Sequence, residues 1–142
     1  MRLVLLCVGK VREAWLKAAV DEYVARLGHY LPVELVEARD PAAALKRLPP
    51  GSRLVALDER GAEWTTAELR RFVEREMVAG GRGALAFLVG DAAGLPPAVQ
   101  ARADVKLSLS KLTLPHRIAR LVLVEQLYRV MTMIRGEPYH RG

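Results

Sequence analysis

The stretch whose reading decides the fold is LSLSKLTLPHRIARLVLVEQLYR, residues 107–129. A strand-like run over residues 105–109 passes through Ser110, Lys111 and Thr113 into Pro115, where a long helical pattern begins and continues to about Arg135. Proline suits a helix's first turn, because its missing N–H would have no partner there. Strand-to-helix crossings that handle nucleotides are commonly rich in glycine, which lets phosphates approach the backbone. This crossing contains none. Hydroxyls, a lysine and leucines stand where the glycines would be, so a ligand held here needs another mode of binding.

Working outward, strands and helices alternate. Residues 2–8 read as a buried strand ending at Gly9. Residues 12–27 read as a helix, in which Trp15, Ala19, Tyr23 and Leu27 recur every four positions and predict one apolar stripe. LPVELVEA, residues 31–38, alternates apolar and acidic residues, as a strand with one wet face does. Asp40 and Pro41 open a short helix to Leu48, and PPGS at 49–52 interrupts the chain. A strand follows over residues 53–58, then a helix capped by Thr65 or Thr66 and stopped by GGRG at 80–83. ALAFLVG, residues 84–90, is continuously apolar, as a strand buried on both faces of a parallel sheet must be. A short helix near residues 97–103 leads to the strand of the opening stretch. The pattern predicts one α/β domain over residues 1–142, a mostly parallel sheet with helices on both faces. The loop at 49–52 is too short to divide it.

The final helix has apolar surface to spare. Residues 121–124 are apolar in succession, and Leu127, Tyr128, Val130, Met131, Met133 and Ile134 follow. One stripe is enough to pack on a sheet, so the surplus predicts a homodimer.

Composition narrows the class. The chain is 51% hydrophobic and 27% charged, ordinary for a globular domain. No apolar run reaches the roughly 18 to 20 residues that span a bilayer, and the first residues run from a short apolar stretch straight into charges, which predicts a strand and not a signal peptide. The cytoplasm is the default compartment. The lone Cys7 sits within that strand and reads as a buried thiol, not a nucleophile. The net charge is +6, of which +5 lies from Arg102 onward. That excess fits a solvated helix face, and it fits a polyphosphate partner as well.

Ligands of open α/β sheets sit beyond the carboxyl ends of strands. Three such ends are distinctive: ALDERG with Leu57 and Asp58, LVGDAAGL with Gly90 and Gly94, and the opening stretch. The two glycines do not form a dinucleotide fingerprint, and no Walker-type loop or serine elbow is present. His29, His116 and His140 lie far apart, and no Cys, His and acid cluster has metal-ligand spacing, so no metal is expected.

Taken together, LVALD, FLVGDAAGL, the opening stretch and the terminal GEPYHR resemble the rRNA large subunit methyltransferase H family, small members of the SPOUT class of S-adenosyl-L-methionine enzymes. The resemblance spans essentially the whole chain. It implies an α/β sheet whose C-terminal segment forms a trefoil knot, and a homodimer that methylates N3 of a pseudouridine in helix 69 of 23S rRNA on the assembled ribosome. It also implies how the glycine-free crossing binds: Leu109, Ser110, Lys111, Leu112, Thr113 and Leu114 would wrap the cofactor with backbone groups between apolar walls, and Leu57 and Gly90 would complete the pocket. Tyr139, His140 and Arg141 match the family's terminal motif and, with His116, are the catalytic candidates around the target base. Arg117, Arg120 and Arg135, with Lys111, would contact rRNA phosphates, while Arg129 stands at the right spacing to pair with Glu125. Family members commonly have paired glycines where this chain has Gly90 and Asp91, so the contact expected at Gly90 does not extend to Asp91. Two other readings compete: an RNA- or ribosome-binding protein on a methyltransferase scaffold that has no activity, and a SPOUT enzyme acting on tRNA.

Overall fold

The computed structural model describes residues 1–80 and 83–141, the side chains of His140 and Arg141 excepted. Five strands, β1 (Leu3–Val8), β2 (Val33–Ala38), β3 (Arg53–Glu63), β4 (Leu85–Val89) and β5 (Val105–Ser108), pair in the order β2-β1-β4-β3-β5. Every pairing is parallel. Five α-helices connect and cover them: α1 (Ala14–Leu27), α2 (Pro41–Lys46), α3 (Thr66–Ala79), α4 (Pro97–Arg102) and α5 (His116–Ile134). None of the described helices is long and apolar enough to cross a membrane.

Alternation along the strands builds two cores. Leu3, Leu5, Cys7, Leu85, Phe87 and Val89 face one side with residues of α1, α3 and α5. Val4, Leu6, Ala86 and Leu88 face the other, with Ala44 of α2 and Val99 of α4. The central strands β1 and β4 are therefore wholly apolar, while the edge strand β2 keeps glutamates. Cys7 lies 1% exposed in this core, and burial pushes its thiol up to about 11, which leaves it protonated and inert.

Helix ends follow the sequence signals. Asp40 accepts the Ala43 amide at 2.7 Å, and Thr65 with Glu68 forms a reciprocal capping box. Gly80, at φ 58°, ends α3 in the left-handed conformation.

Two expectations need correction. On α1 the buried positions are Leu16, Val20 and Leu27, whereas Trp15 is 63% exposed and Tyr23 half-buried, so the apolar stripe begins one residue later than the four-residue repeat suggests. Strand β3 does not stop at Asp58. Its pairing with β5 skips from Leu57 to Ala62, both opposite Leu107, and residues 58–61 bulge out between them. Gly61 makes the bulge possible, since a Cβ there would fall 2.6 Å from the Lys106 backbone.

Candidate active site

The carboxyl ends of β3, β4 and β5 enclose a cavity of about 670 Å³. Each wall has a local cause. The β3 bulge supplies Leu57 and turns Asp58, Glu59 and Arg60 to the mouth. The loop after β4 supplies Gly90, Asp91 and Gly94; Gly94 takes φ 83°, and the Asp91 carboxylate accepts the Ala93 amide at 3.0 Å, folding the turn back on itself. The β5–α5 crossing supplies Leu109, Ser110, Leu112, Thr113 and Leu114.

The serines of the crossing hold the loop together. Ser108 Oγ donates to the Ser110 carbonyl at 2.9 Å, and Ser110 Oγ accepts the Leu112 amide at 2.9 Å. Hydroxyls thus fix a turn that glycine would have left loose. Leu112 is 76% exposed at the cavity rim. The residues fit an elongated ligand with an apolar ring system: the volume lies in the usual range for small-molecule sites, and the walls combine leucines with backbone polar groups. A Cβ at Gly90 would stand 3.3 Å from Leu95 Cδ2, so the absent side chain keeps that wall open.

Seven of the eight expected cofactor residues line this cavity; Lys111 does not, and its side chain points to solvent. His116, the first residue of α5, lies on the wall beside Arg117. Arg117 is half-exposed and pairs with Glu13 at 2.6 Å. Arg120 is different from the phosphate-binding residue expected of it. It is 3% exposed, donates to Glu37 Oε2 at 2.6 Å and to the Gly9 carbonyl at 3.0 Å, and straps α5 to the ends of β1 and β2. A guanidinium so enclosed cannot reach an RNA backbone. Arg135 is exposed, with its guanidinium 5.7 Å from the Tyr30 ring centre, and the expected Arg129–Glu125 pair is present at 2.9 Å.

The tail lies elsewhere. Tyr139, in the short 3-10 helix Pro138–Arg141, packs edge-on to Tyr128 with ring centres 4.7 Å apart, and is not part of the cavity lining. The expected roles of His140 and Arg141 fall on side chains outside the described residues. Asp58 stands at the mouth, at one of the three strand ends singled out in the sequence, whereas Glu59 and Arg60 beside it were not foreseen, and the single advance sign of their placement is Gly61.

A family model described as "Predicted SPOUT methyltransferase" matches residues 1–140. The chain is 48% identical to the ribosomal RNA large subunit methyltransferase H of Anaeromyxobacter sp. (strain Fw109-5), over 99% of this chain and 100% of that one. The chain belongs to that family. The Geotalea daltonii relative of the same name is 42% identical over 99% of both chains. Among solved structures, a probable methyltransferase from Bordetella pertussis Tohama I superposes with a TM-score of 0.57 at 15% identity, covering 92% of each chain. A structure described as giving insights into 2-OH methylation of C/U34 on tRNA superposes at 0.56 and 20% identity, covering 93% of this chain and 97% of that one. At such identities these two speak for the fold alone. The fold is that of the SPOUT class, whose C-terminal segment is tied in a trefoil knot, and family membership makes the chain an S-adenosylmethionine-dependent rRNA methyltransferase.

Proposed function

We propose that the protein is a cytoplasmic homodimer that methylates N3 of a pseudouridine in helix 69 of 23S rRNA, on the assembled ribosome, with the cofactor in the cavity at the ends of β3, β4 and β5. The observation that carries the placement is the convergence of Leu57, Gly90 and five of the six residues 109–114 on one cavity. Bound there, S-adenosylmethionine supplies an electrophilic methyl group and a neutral thioether leaving group.

The chain's own residues hold, orient and exclude water. Backbone groups of the crossing, fixed by Ser108 and Ser110, bind the cofactor's polar edges, and the leucines keep water from it. The imide N3–H of the base must lose its proton for nitrogen to attack. His116 is the imidazole on the cavity wall among the described residues, and its ring nitrogen takes that proton while Arg117 beside it stabilises the developing anion. Arg117 and Arg135 are retained as phosphate contacts, and Arg120 is not.

The tail reaches the site across the dimer. Among the described residues none of the tail lines the cavity of its own protomer, and Val122 and Met133 leave apolar surface on α5 outside the core. Both features support a second copy packed on α5, with the tail of one subunit closing the target-base pocket of the other.

Transfer of labelled methyl from S-adenosylmethionine to ribosomes lacking the helix 69 modification, with tRNA and naked rRNA alongside, tests the reading. Label at N3 of that pseudouridine, with ribosomes alone, is the expected result. Label on tRNA moves the substrate, and cofactor binding without any transfer reduces the protein to a binding scaffold.

A further inference from the structure

All four tyrosines of the chain meet at the far end of α5 from the cavity. Tyr128 is the hub, with ring centres 5.8 Å from Tyr23, 6.1 Å from Tyr30 and 4.7 Å from Tyr139. Arginines cover the rings: Arg26 lies 5.2 Å from the Tyr23 centre, and Arg129 5.1 Å from that of Tyr139. Tyr23 and Tyr30 come from α1 and the turn after it, more than 100 residues before their tail partners, so the cluster is a tertiary joint.

The hydroxyls are ordered by their single protons. Tyr139 donates to Glu125 Oε2 at 3.0 Å, so Tyr23, whose hydroxyl is 3.0 Å away, donates to Tyr139. Glu125 is held in turn by Arg129 at 2.9 Å and by the Gln126 amide at 2.8 Å. A second link joins Tyr30 to Glu137, the hydroxyl donating at 2.6 Å. Between them the chain turns at Gly136, φ 72°. A short segment beyond such a turn would ordinarily fray, and here two hydrogen-bonded links from α1 and its following turn hold it down.

Tyr139 is thereby unsuited to take a proton from a base. Burial, then the bonds to Tyr23 and Glu125, push its pKa well above the ordinary tyrosine value, so the hydroxyl stays protonated, and its one proton is already committed to a carboxylate.

We propose that Tyr23, Tyr30 and Glu125 are positioning residues of the methyl transfer: through Tyr139 and Glu137 they clamp the tail, fixing the point from which it reaches the target base. Tyr139 acts within this clamp and not on the reacting atoms. The inference rests on the reading above that the tail shapes the target-base pocket.

The experiment compares wild type, Tyr23→Phe, Tyr139→Phe and the double variant in the full-length protein. It measures hydrogen exchange over residues 137–141, cofactor affinity by calorimetry, and kcat on ribosomes lacking the modification. Loss of one neutral hydrogen bond corresponds to roughly a fivefold effect. Tyr23→Phe is expected to speed exchange in the tail and lower kcat about fivefold, with cofactor affinity unchanged within about twofold. Tyr139→Phe is expected to lower kcat more, and the double variant to be no worse than Tyr139→Phe, because both act through one hydroxyl. Effects that multiply in the double variant would overturn the proposal, as would unchanged exchange or unchanged kcat in Tyr23→Phe. Phenylalanine keeps both rings, and a melting temperature for each variant separates loss of the clamp from loss of the fold. If wild type transfers no methyl to any RNA, the reading of function fails by itself, while the exchange rates still decide whether the clamp exists.

Discussion

The two ends of α5, about 28 Å apart along its axis, are built on opposite plans. At its amino end leucines, glycines and backbone wall a cavity, with Asp58, Glu59, Asp91 and His116 set among them. At its carboxyl end tyrosines, arginines and glutamates pack against one another, away from that cavity. Packed aromatic rings thus mark the joint, while leucines and backbone groups, with titratable side chains set around them, mark the ligand site. That suits a reaction in which the cofactor brings the reactivity, and the protein contributes shape at one end and placement at the other.

Substitutions at one end should leave the other untouched, and the sharpest break is at Gly90. Valine there puts a branched side chain into the cavity beside Leu95. Cofactor affinity should fall at least about 100-fold, near 3 kcal/mol, with tail exchange unchanged; calorimetry and hydrogen exchange on one sample test both. Next comes Arg120→Met, which removes the strap from α5 to Glu37 and Gly9. A loss of about 2 kcal/mol in denaturant stability is expected, whereas Arg117→Met, at a half-exposed pair, should cost under about 1 kcal/mol. Equal losses would mean that burial does not distinguish the two. Ser110→Ala removes the acceptor of the Leu112 amide and should weaken cofactor binding roughly fivefold, with little change in melting temperature.

The smallest effect belongs to the other end. Burial and the Glu137 carboxylate push the Tyr30 hydroxyl up to about 12. A raised tyrosine value favours the neutral form, so its contribution is complete below the ordinary value near 10 and is lost as pH rises through 12. Ultraviolet titration of tyrosinate should show a late-ionising group that moves earlier in Glu137→Gln.

The same contrast sets what the sequence could disclose. The cavity end is legible as a place, because apolar runs fix parallel strands and the carboxyl ends of three of them are distinctive in composition; the cofactor roles of Leu57, Gly90 and the crossing at 109–114 come from the family resemblance. The tyrosine joint is not. Tyr23 looked like one more member of an apolar repeat, and its partner Tyr139 lies 116 positions away. Arg120 misled for the same reason. One turn from Arg117 on the same helix, it reads as part of a basic face, and its partner Glu37 is 83 positions earlier. The β3 bulge was foreshadowed by Gly61 alone, since the backbone approach that excludes a side chain there comes from β5.

The strap, the crossing and β5 all belong to the stretch that follows Val105, and α5 closes the apolar face on which Leu5, Phe87 and Val89 sit. During synthesis, β1 to β4 emerge first and can pair, but with α1 and α3 alone that face is only partly covered until α5 arrives, and the cavity has only two of its three walls. The nascent chain thus passes through a sticky, inactive intermediate, and competence to bind the cofactor arrives in one step with the closing helix.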